Sequence, residues 1–220
     1  MGKRTRDNEY VDIVWGFNDS TTSNKCRKTH SDKPRDPNTD NVIYTIGNEI
    51  HFSCGIDKNS IQEIIRQMTE LIHEHKKKAD ENEKLTITYI VDSPGGAVTS
   101  ILKFVDFIEL VKKKYPFVEF VSIISGMVAS AGTIMAVVAD KRYMTKNAHA
   151  MIHELSAGNS SKLTFLRSYM DYLNLLHDKL VDIYEAKSGL PRNSIEELLK
   201  AETWFSAEQY LDNGFIDGIK

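Results

Sequence analysis

Residues 117–139 read FVEFVSIISGMVASAGTIMAVVA, and their composition changes at the centre. The first part is rich in β-branched residues, the second consists largely of Ala, Met and Val, and GMVASAG at 126–132 separates the two. Residues 120–139 contain no charged residue and are about as long as a membrane-spanning helix. A membrane span is therefore one interpretation of this segment. Because serine, glycine and threonine dilute the apolar run, the pattern favours a buried strand, a Gly-rich turn and a buried helix.

The same order of strand, Gly-rich turn and helix occurs once more upstream. LTITYIVD at 85–92 favours a strand, SPGG at 93–96 a turn, and residues 98–114 an amphipathic helix. Two such units in succession predict right-handed crossovers and an α/β fold whose largely parallel sheet carries packed helices. Ligands bind where the turns gather at the ends of parallel strands, so both Gly-rich turns are expected at one site.

The chain outside these units divides into an extension and the remainder of one domain. Residues 1–44 are polar and interrupted by Pro34 and Pro37, which predicts an N-terminal extension or mobile arm with a short strand within 10–15. Residues 45–220 are predicted to form the folded domain, with a strand or strand pair in 141–155. A helix predicted over 162–187 has a broad apolar stripe, which favours packing against a partner helix and hence oligomerisation.

Composition excludes several classes of protein. The chain has 220 residues, a formal net charge of −3 and a pI of about 6.2, so no basic field for nucleic acid is expected. The lysine trios at 76–78 and 112–114 each follow an amphipathic run and are interpreted as helix ends. Two dissimilar cysteines predict neither a disulfide framework nor a zinc site. The N-terminus lacks the apolar core of a secretory signal, which favours a cytoplasmic protein.

Ser130 lies between small residues in the second Gly-rich turn, and two interpretations fit it. As a nucleophile it would use backbone N–H groups of Ala131 and of the Gly95–Gly96 turn to stabilise an oxyanion. As a packing residue it would simply allow two elements to approach closely. The Gly-x-Ser-x-Gly elbow of hydrolases is absent because Val128 stands where that motif has glycine.

A serine nucleophile needs a base, and His153, after the apolar run at 148–152, is the candidate. A lone histidine beside an apolar strand is more often structural, so this residue alone decides nothing. His149 and His153 share a face in a strand or a helix, which would suit a metal pair. Because no third ligand has suitable spacing and His-Glu-x-x-His is absent, we expect no metal.

Four ordered motifs together resemble the ClpP family, the proteolytic subunits of the ATP-dependent Clp protease, over roughly residues 45–220. The matching segments are SPGG at 93–96, GMVASAG at 126–132, MIH at 151–153, and FSAE at 205–208 followed by GFID at 214–217. The resemblance implies a ClpP/crotonase-like β-β-α superhelix with a long handle helix, matched by residues 162–187.

The resemblance also implies roles for individual residues. Ser130 would be the nucleophile, His153 the base, and the backbone of Gly95, Gly96 and Ala131 the oxyanion hole. Counting back from Ser206-Ala207 places Glu202 where the family has its triad aspartate.

Partners follow from the same resemblance. Peptides or unfolded polypeptides would be cleaved inside stacked, heptamer-like rings, without a cofactor, and ATP would enter only through a partner unfoldase of the AAA+ Clp type. Thr88 and Ile90 stand at the positions of the family's docking tyrosines, so docking of that unfoldase stays open. An organellar or host cytoplasm is an alternative location.

Other functions stay open at the level of sequence. One alternative is a catalytically impaired regulatory ring subunit, motivated by Glu202, and another is a virus-type processing peptidase. A crotonase-like acyl-CoA enzyme would share the oxyanion turns but needs no serine nucleophile. A peptidase with a Ser–Lys dyad would use Lys141 or Lys146 in place of His153.

Overall fold

The computed structural model describes residues 14–15, 42–78 and 83–220. The predicted extension therefore falls largely outside the described residues, although Val14–Trp15 of the strand expected within 10–15 is a strand. The strands are β1 (Val14–Trp15), β2 (Val42–Ile46), β3 (Glu49–Ser53), β4 (Leu85–Ser93), β5 (Gly96–Ala97), β6 (Val118–Ala129), β7 (Lys141–Met144), β8 (His149–Ile152), β9 (Thr203–Phe205) and β10 (Gly218–Ile219). The helices are α1 (Lys58–Lys78), α2 (Val98–Lys114), α3 (Ala131–Val137), α4 (Leu163–Ser188), α5 (Arg192–Lys200) and α6 (Ala207–Asp212).

A mixed sheet organises the domain. Its strand order is β10-β7-β6-β4-β3-β2, and β8 extends it by pairing with the far end of β6 and with β9. The central pairs β3–β4, β4–β6, β6–β7 and β6–β8 are parallel, whereas β2 and β9 pair antiparallel with their neighbours. The separate pair of β1 and β5 is antiparallel. The predicted α/β fold with a largely parallel sheet is confirmed.

The core lies between this sheet and the helices. In β4 the side chains at alternate positions from Leu85 to Ser93 are buried, and those between them are more exposed. One face of α1 is buried through Ile61, Ile64 and Met68, as its three- and four-residue spacing predicts. Burying each such aliphatic side chain contributes roughly 1.5–3 kcal/mol. Helix α3 is buried along its entire length, and all its residues except Thr133 are apolar or glycine.

The prediction for residues 117–139 is confirmed with one correction. Strand β6 does not end before GMVASAG but continues through Ala129, so the turn before α3 contracts to Ser130. The cause lies at Gly126, whose φ is 96° and where a Cβ would lie 2.9 Å from the carboxyl carbon of Asp92. There the register of β6 against β4 is interrupted, and its other neighbour changes from β7 to β8. Among the described residues no helix is long and apolar enough to cross a membrane.

The C-terminal part follows the predicted elements closely. The helix expected over 162–187 is α4, and it ends at Gly189 in the left-handed conformation. The strand pair expected in 141–155 is β7 and β8. Ser206 is the N-cap of α6 in a capping box with Gln209. Several large apolar side chains of α4 remain exposed, among them Leu163, Phe165, Met170 and Leu175.

Candidate active site

The backbone of Ser130 adopts a conformation that is unusual for a residue with a side chain. Its φ is 58° and its ψ is −126°, between the end of β6 and the first residue of α3. A non-glycine residue in such a region costs about 1–3 kcal/mol, so neighbouring contacts must hold it. The N–H of Ser130 donates to the carbonyl of Met151 at 2.8 Å. The carbonyl of Ser130 accepts from the N–H and the hydroxyl of Thr133, at 3.0 and 2.5 Å.

The hydroxyl of Ser130 is buried and makes no hydrogen bond to a described residue. The residue is 0% exposed, and within the described residues Oγ has no hydrogen-bond partner. Leaving a buried polar group unsatisfied costs about 1–3 kcal/mol. Alanine would fill the same space without that cost, so close packing does not account for a serine here.

The first Gly-rich turn lies directly against this serine, as predicted. Gly95 has a φ of 92°, and a Cβ there would lie 2.7 Å from the Cβ of Ser130 and 2.6 Å from the carbonyl oxygen of Ala129. The same Cβ would lie 3.1 Å from the backbone nitrogen of Ala131. Only glycine permits both the backbone conformation and this close approach. The two turns therefore meet at one point of the sheet edge.

Hydrogen bonds fix the direction of the backbone groups in this turn. The N–H of Gly95 donates to Oγ of Ser93 at 3.2 Å, and its carbonyl accepts from the N–H of Ile56 at 2.8 Å. The N–H of Ala97 donates to the carbonyl of Ile56 at 2.7 Å. Because successive residues of a strand turn their polar groups to opposite edges, the N–H and carbonyl of Gly96 face away from Ile56. On that other edge β1 pairs with β5, with Trp15 opposite Gly96.

Pairing of β8 with β9 brings a histidine and an acid to the same place. Met151 pairs with Trp204 and Ile152 with Thr203, and the pairing ends there, with His153 following β8 and Glu202 preceding β9. The charge of Glu202 acts on His153. The N–H of Glu202 donates to the carbonyl of Leu199 at 3.2 Å, at the end of α5. Since β8 also pairs with β6 beside Ser130, the three predicted residues lie near the same end of β8.

Burial and charge act in opposite directions on His153. The side chain is buried, and removal from water lowers the pKa of the imidazole below its ordinary value. The carboxylate of Glu202 raises the pKa of His153 and is the smaller of the two effects. The imidazole is therefore neutral at neutral pH, which is the form that accepts a proton.

The residues considered for a metal site and for a Ser–Lys dyad are less suited to those chemistries. Among the described residues there is no group of three or more His, Cys, Asp or Glu side chains that could hold a metal ion. Lys141, one of the two lysines considered for a Ser–Lys dyad, forms an ion pair with Glu119 at 3.0 Å. The hydrogen bond that Lys141 donates to Glu119 raises the pKa of Lys141, whereas a lysine that acts as a base requires a lowered pKa.

Comparison with known proteins agrees with this arrangement. The family model for the Clp protease matches residues 40–220. The chain belongs to the Clp protease family. A Streptococcus thermophilus protein named ATP-dependent Clp protease proteolytic subunit is 32% identical over 168 residues, which cover 74% of this chain and 80% of that protein. A Chlamydia trachomatis protein named ATP-dependent Clp protease proteolytic subunit 1 is 25% identical over 174 residues, or 77% of this chain and 84% of that protein.

Membership of the Clp protease family confirms the resemblance found in the four motifs, and it makes this chain a serine-type endopeptidase. Its identity of 25–32% to these relatives also confirms a divergent member.

Three features of the site went unnoticed in the sequence. Thr133 donates a hydrogen bond to the carbonyl of Ser130, and Tyr184 contacts Thr133. Ile56 forms backbone hydrogen bonds with Gly95 and Ala97 at one edge of β5. A hydroxyl three residues after Ser130, in an otherwise apolar helix, was the one available signal for Thr133. Tyr184 lies 51 residues further along the chain, so no local pattern could connect it with the site.

Proposed function

We propose that this Clp-family protein hydrolyses peptide bonds with Ser130 as nucleophile, His153 as base and Glu202 as the acid that orients the imidazole. The observation that carries the proposal is the buried hydroxyl of Ser130, which has no hydrogen-bond partner in the described part of the chain. It lies on a strained backbone in the second Gly-rich turn, against the first one. A buried hydroxyl held ready in this way suits a nucleophile that becomes paired when substrate and base close on it.

The chemical steps follow from these positions. Oγ of Ser130 attacks the carbonyl carbon of the substrate, and Nε2 or Nδ1 of His153 takes the hydroxyl proton. The tetrahedral oxyanion accepts hydrogen bonds from the N–H of Ala131 and from the glycine turn. In that turn the N–H of Gly95 donates to Ser93 and Gly96 pairs with β1, so a donor to the oxyanion must first leave one of these contacts. His153 then protonates the leaving amine, and water hydrolyses the acyl-enzyme with the same base.

An extended peptide backbone is the substrate that the edge of β5 suits. The polar groups of Gly96 face the edge opposite Ile56, and β1 of this same chain pairs there as an antiparallel strand. A peptide that binds by strand addition would use the same groups, with its carbonyl carried towards Ser130. Peptides and unfolded polypeptides offer such a backbone, whereas a folded chain does not.

The assembly that we propose is a stacked, heptamer-like ring in the cytoplasm, to which an AAA+ Clp ATPase delivers substrate. Exposed apolar side chains along α4, including Phe165 and Leu175, support packing against a second copy. Thr88 and Ile90 lie half-buried on the outer face of β4. Because neither supplies the aromatic ring expected of the docking site, a partner unfoldase must recognise a different side chain there.

The test of the mechanism is covalent labelling with a fluorophosphonate probe. The wild-type protein is expected to be labelled at Ser130, Ser130→Ala to lose all labelling, and His153→Ala to be labelled at least about 10²-fold more slowly. Ser160→Ala, which changes an exposed serine, is the control and should be labelled normally. Labelling that survives in Ser130→Ala would refute the proposed nucleophile.

A second candidate function is a catalytically impaired regulatory subunit. It is favoured by Glu202, which is exposed and has a φ of 49° at the place expected for the acid of the triad. Turnover of a short fluorogenic peptide by the pure protein would exclude this alternative, because an impaired subunit would bind partner subunits without hydrolysing the peptide.

A further inference from the structure

The peptide group that joins Ser130 to Ala131 is held from beneath by two hydroxyl groups. Oγ1 of Thr133 donates to the carbonyl oxygen of Ser130 at 2.5 Å, and Oη of Tyr184 lies 2.6 Å from the same Oγ1. We propose that Thr133, backed by Tyr184, is a positioning residue for both the nucleophile and the oxyanion hole. The inference rests on the proposed role of Ser130 and extends it to residues that do not touch substrate.

Proton counting sets the direction of this hydrogen-bond chain. Thr133 has one hydroxyl proton, and it points to the carbonyl of Ser130, so Tyr184 must donate to Oγ1 of Thr133. All three residues are 0% exposed. Burial raises the pKa of Tyr184, so its hydroxyl keeps the proton that it donates. The chain therefore runs in one direction, from Tyr184 in α4 to Thr133 in α3 and on to Ser130.

The dihedral angles of Ser130 explain why this support matters. A residue in a disfavoured region keeps its conformation only when the groups on both sides of it are anchored. The N–H of Ser130 is anchored by Met151, which fixes φ, and its carbonyl is anchored by Thr133, which fixes ψ. Without the hydroxyl of Thr133, the backbone N–H of that residue would be the remaining bond to the carbonyl among the described residues.

The same contact orients the proposed oxyanion donor. The carbonyl of Ser130 and the N–H of Ala131 belong to one planar, trans peptide group, so they point in opposite directions. A bond that fixes the carbonyl therefore fixes the N–H that would face the oxyanion. Thr133 thus acts on the attacking oxygen through ψ of Ser130 and on the developing charge through the N–H of Ala131.

The experiment compares Thr133→Val, which removes the hydroxyl with almost no change of shape, with Thr133→Ser, which restores it. Steady-state hydrolysis of a short fluorogenic peptide, and the rate of fluorophosphonate labelling of Ser130, are measured for both. Thr133→Val is expected to lower kcat about tenfold with KM within about twofold, because one hydrogen bond to the reacting peptide group is lost. Thr133→Ser is expected to recover most of kcat, and Tyr184→Phe to show a smaller loss than Thr133→Val.

Tyr89→Phe is the matched control. Tyr89 is also fully buried, and its hydroxyl donates to the carbonyl of Met135 in the same helix at 2.9 Å, away from Ser130. It should lower Tm about as much as Tyr184→Phe but leave kcat unchanged. The positioning role is refuted if Thr133→Val keeps full kcat and full labelling rate, or if Tyr89→Phe loses as much kcat as Tyr184→Phe.

Two further outcomes separate this inference from the proposed function. If Ser130 of the wild-type protein is not labelled at all, the proposed nucleophile itself is wrong. If the wild type is labelled normally and Thr133→Val is too, only the positioning role is wrong. Should Thr133→Val fail to fold, the comparison of Tyr184→Phe with Tyr89→Phe decides, because both remove one buried tyrosine hydroxyl.

Discussion

Ser130 and His153 have environments that a purely structural pair would not need. The serine keeps a hydroxyl that costs stability, and the histidine is buried where its charged form is disfavoured. Both features favour the proposed reactivity, because a neutral imidazole and an unengaged hydroxyl are the starting state for nucleophilic attack. The carboxylate of Glu202 raises the pKa of His153, so in the proposed mechanism it would stabilise the imidazolium formed after proton transfer.

The first prediction at this scale concerns pH. Protonated His153 cannot act as a base, so activity is lost as the pH falls through its pKa, and burial places that loss below the ordinary value of about 6.5. Glu202→Gln removes the charge that raises this pKa, so the acid limb of kcat/KM should move to still lower pH. At the same time kcat should fall at least about tenfold, because the imidazolium loses its stabilising charge.

The matched control for this pH experiment is Glu202→Asp, which keeps the charge. Its acid limb should lie closer to that of the wild type than the limb of Glu202→Gln does. An acid limb that moves upward in Glu202→Gln, or that does not move, would contradict a role for this carboxylate at His153.

At the scale of elements, the site depends on how α4 and the C-terminal strand attach to β7. Arg142 of β7 donates from Nη1 to the carbonyls of Lys187 and Gly214, at 2.7 and 3.1 Å. Its guanidinium also pairs with both carboxylate oxygens of Asp217. One side chain thus joins the end of α4 and the segment before β10, and α4 in turn carries Tyr184 to the site.

We therefore predict that Arg142→Ala destabilises the fold. Two carbonyls and a carboxylate lose a donor in a partly buried place, which is expected to lower the free energy of unfolding by about 1–3 kcal/mol in urea titrations at pH 7. Arg142 lowers the pKa of Asp217, so their contribution is present at neutral pH and lost as the pH falls below about 4. The difference between wild type and variant should shrink over that acidic range.

The control for this prediction is Arg192→Ala. Arg192 forms ion pairs with Asp178 and Asp182, but both carboxylates are more than half exposed. Its removal should cost less than about 1 kcal/mol, because solvent screens exposed pairs. Equal losses for the two arginine variants would show that burial does not distinguish them.

At the scale of the whole molecule, the chain covers its own candidate substrate edge. Strand β1 pairs with β5, with Val14 opposite Ala97 and Trp15 opposite Gly96, and Gly95 beside them touches Ser130. A peptide that binds by strand addition at β5 must displace β1 first. The N-terminal strand and the substrate therefore compete for the same backbone groups.

Weakening β1 should accordingly improve peptide binding. Trp15→Pro removes one backbone N–H from the β1–β5 pair and so weakens the strand that competes with substrate. KM for a short peptide is expected to fall by roughly twofold to tenfold, which corresponds to the net free energy of one hydrogen bond. Trp15→Val keeps the N–H and serves as the control, with a smaller change of KM. An unchanged KM in Trp15→Pro would mean that substrate does not bind along β5.

Local patterns were sufficient for most of the fold. The strand–turn–helix units at 85–114 and 117–139 and the limits of α4 could be predicted, because periodicity depends on residues close in the chain. The length of β6 could not, since it depends on contact between Gly126 and the distant Asp92.

The sequence by itself determined the fold class, the family motifs and the identities of Ser130, His153 and Glu202 as the residues to examine. Only the tertiary structure decided how they are arranged: the pairing of β8 with β9 ends beside His153 and Glu202, and a glycine turn 35 residues upstream of Ser130 lies against it. It also decided that Tyr184 supports Thr133 beneath that serine. The physical reason is that hydrogen bonds and close packing act between neighbours in space. Strand pairing and helix packing make neighbours of residues that are far apart in the chain.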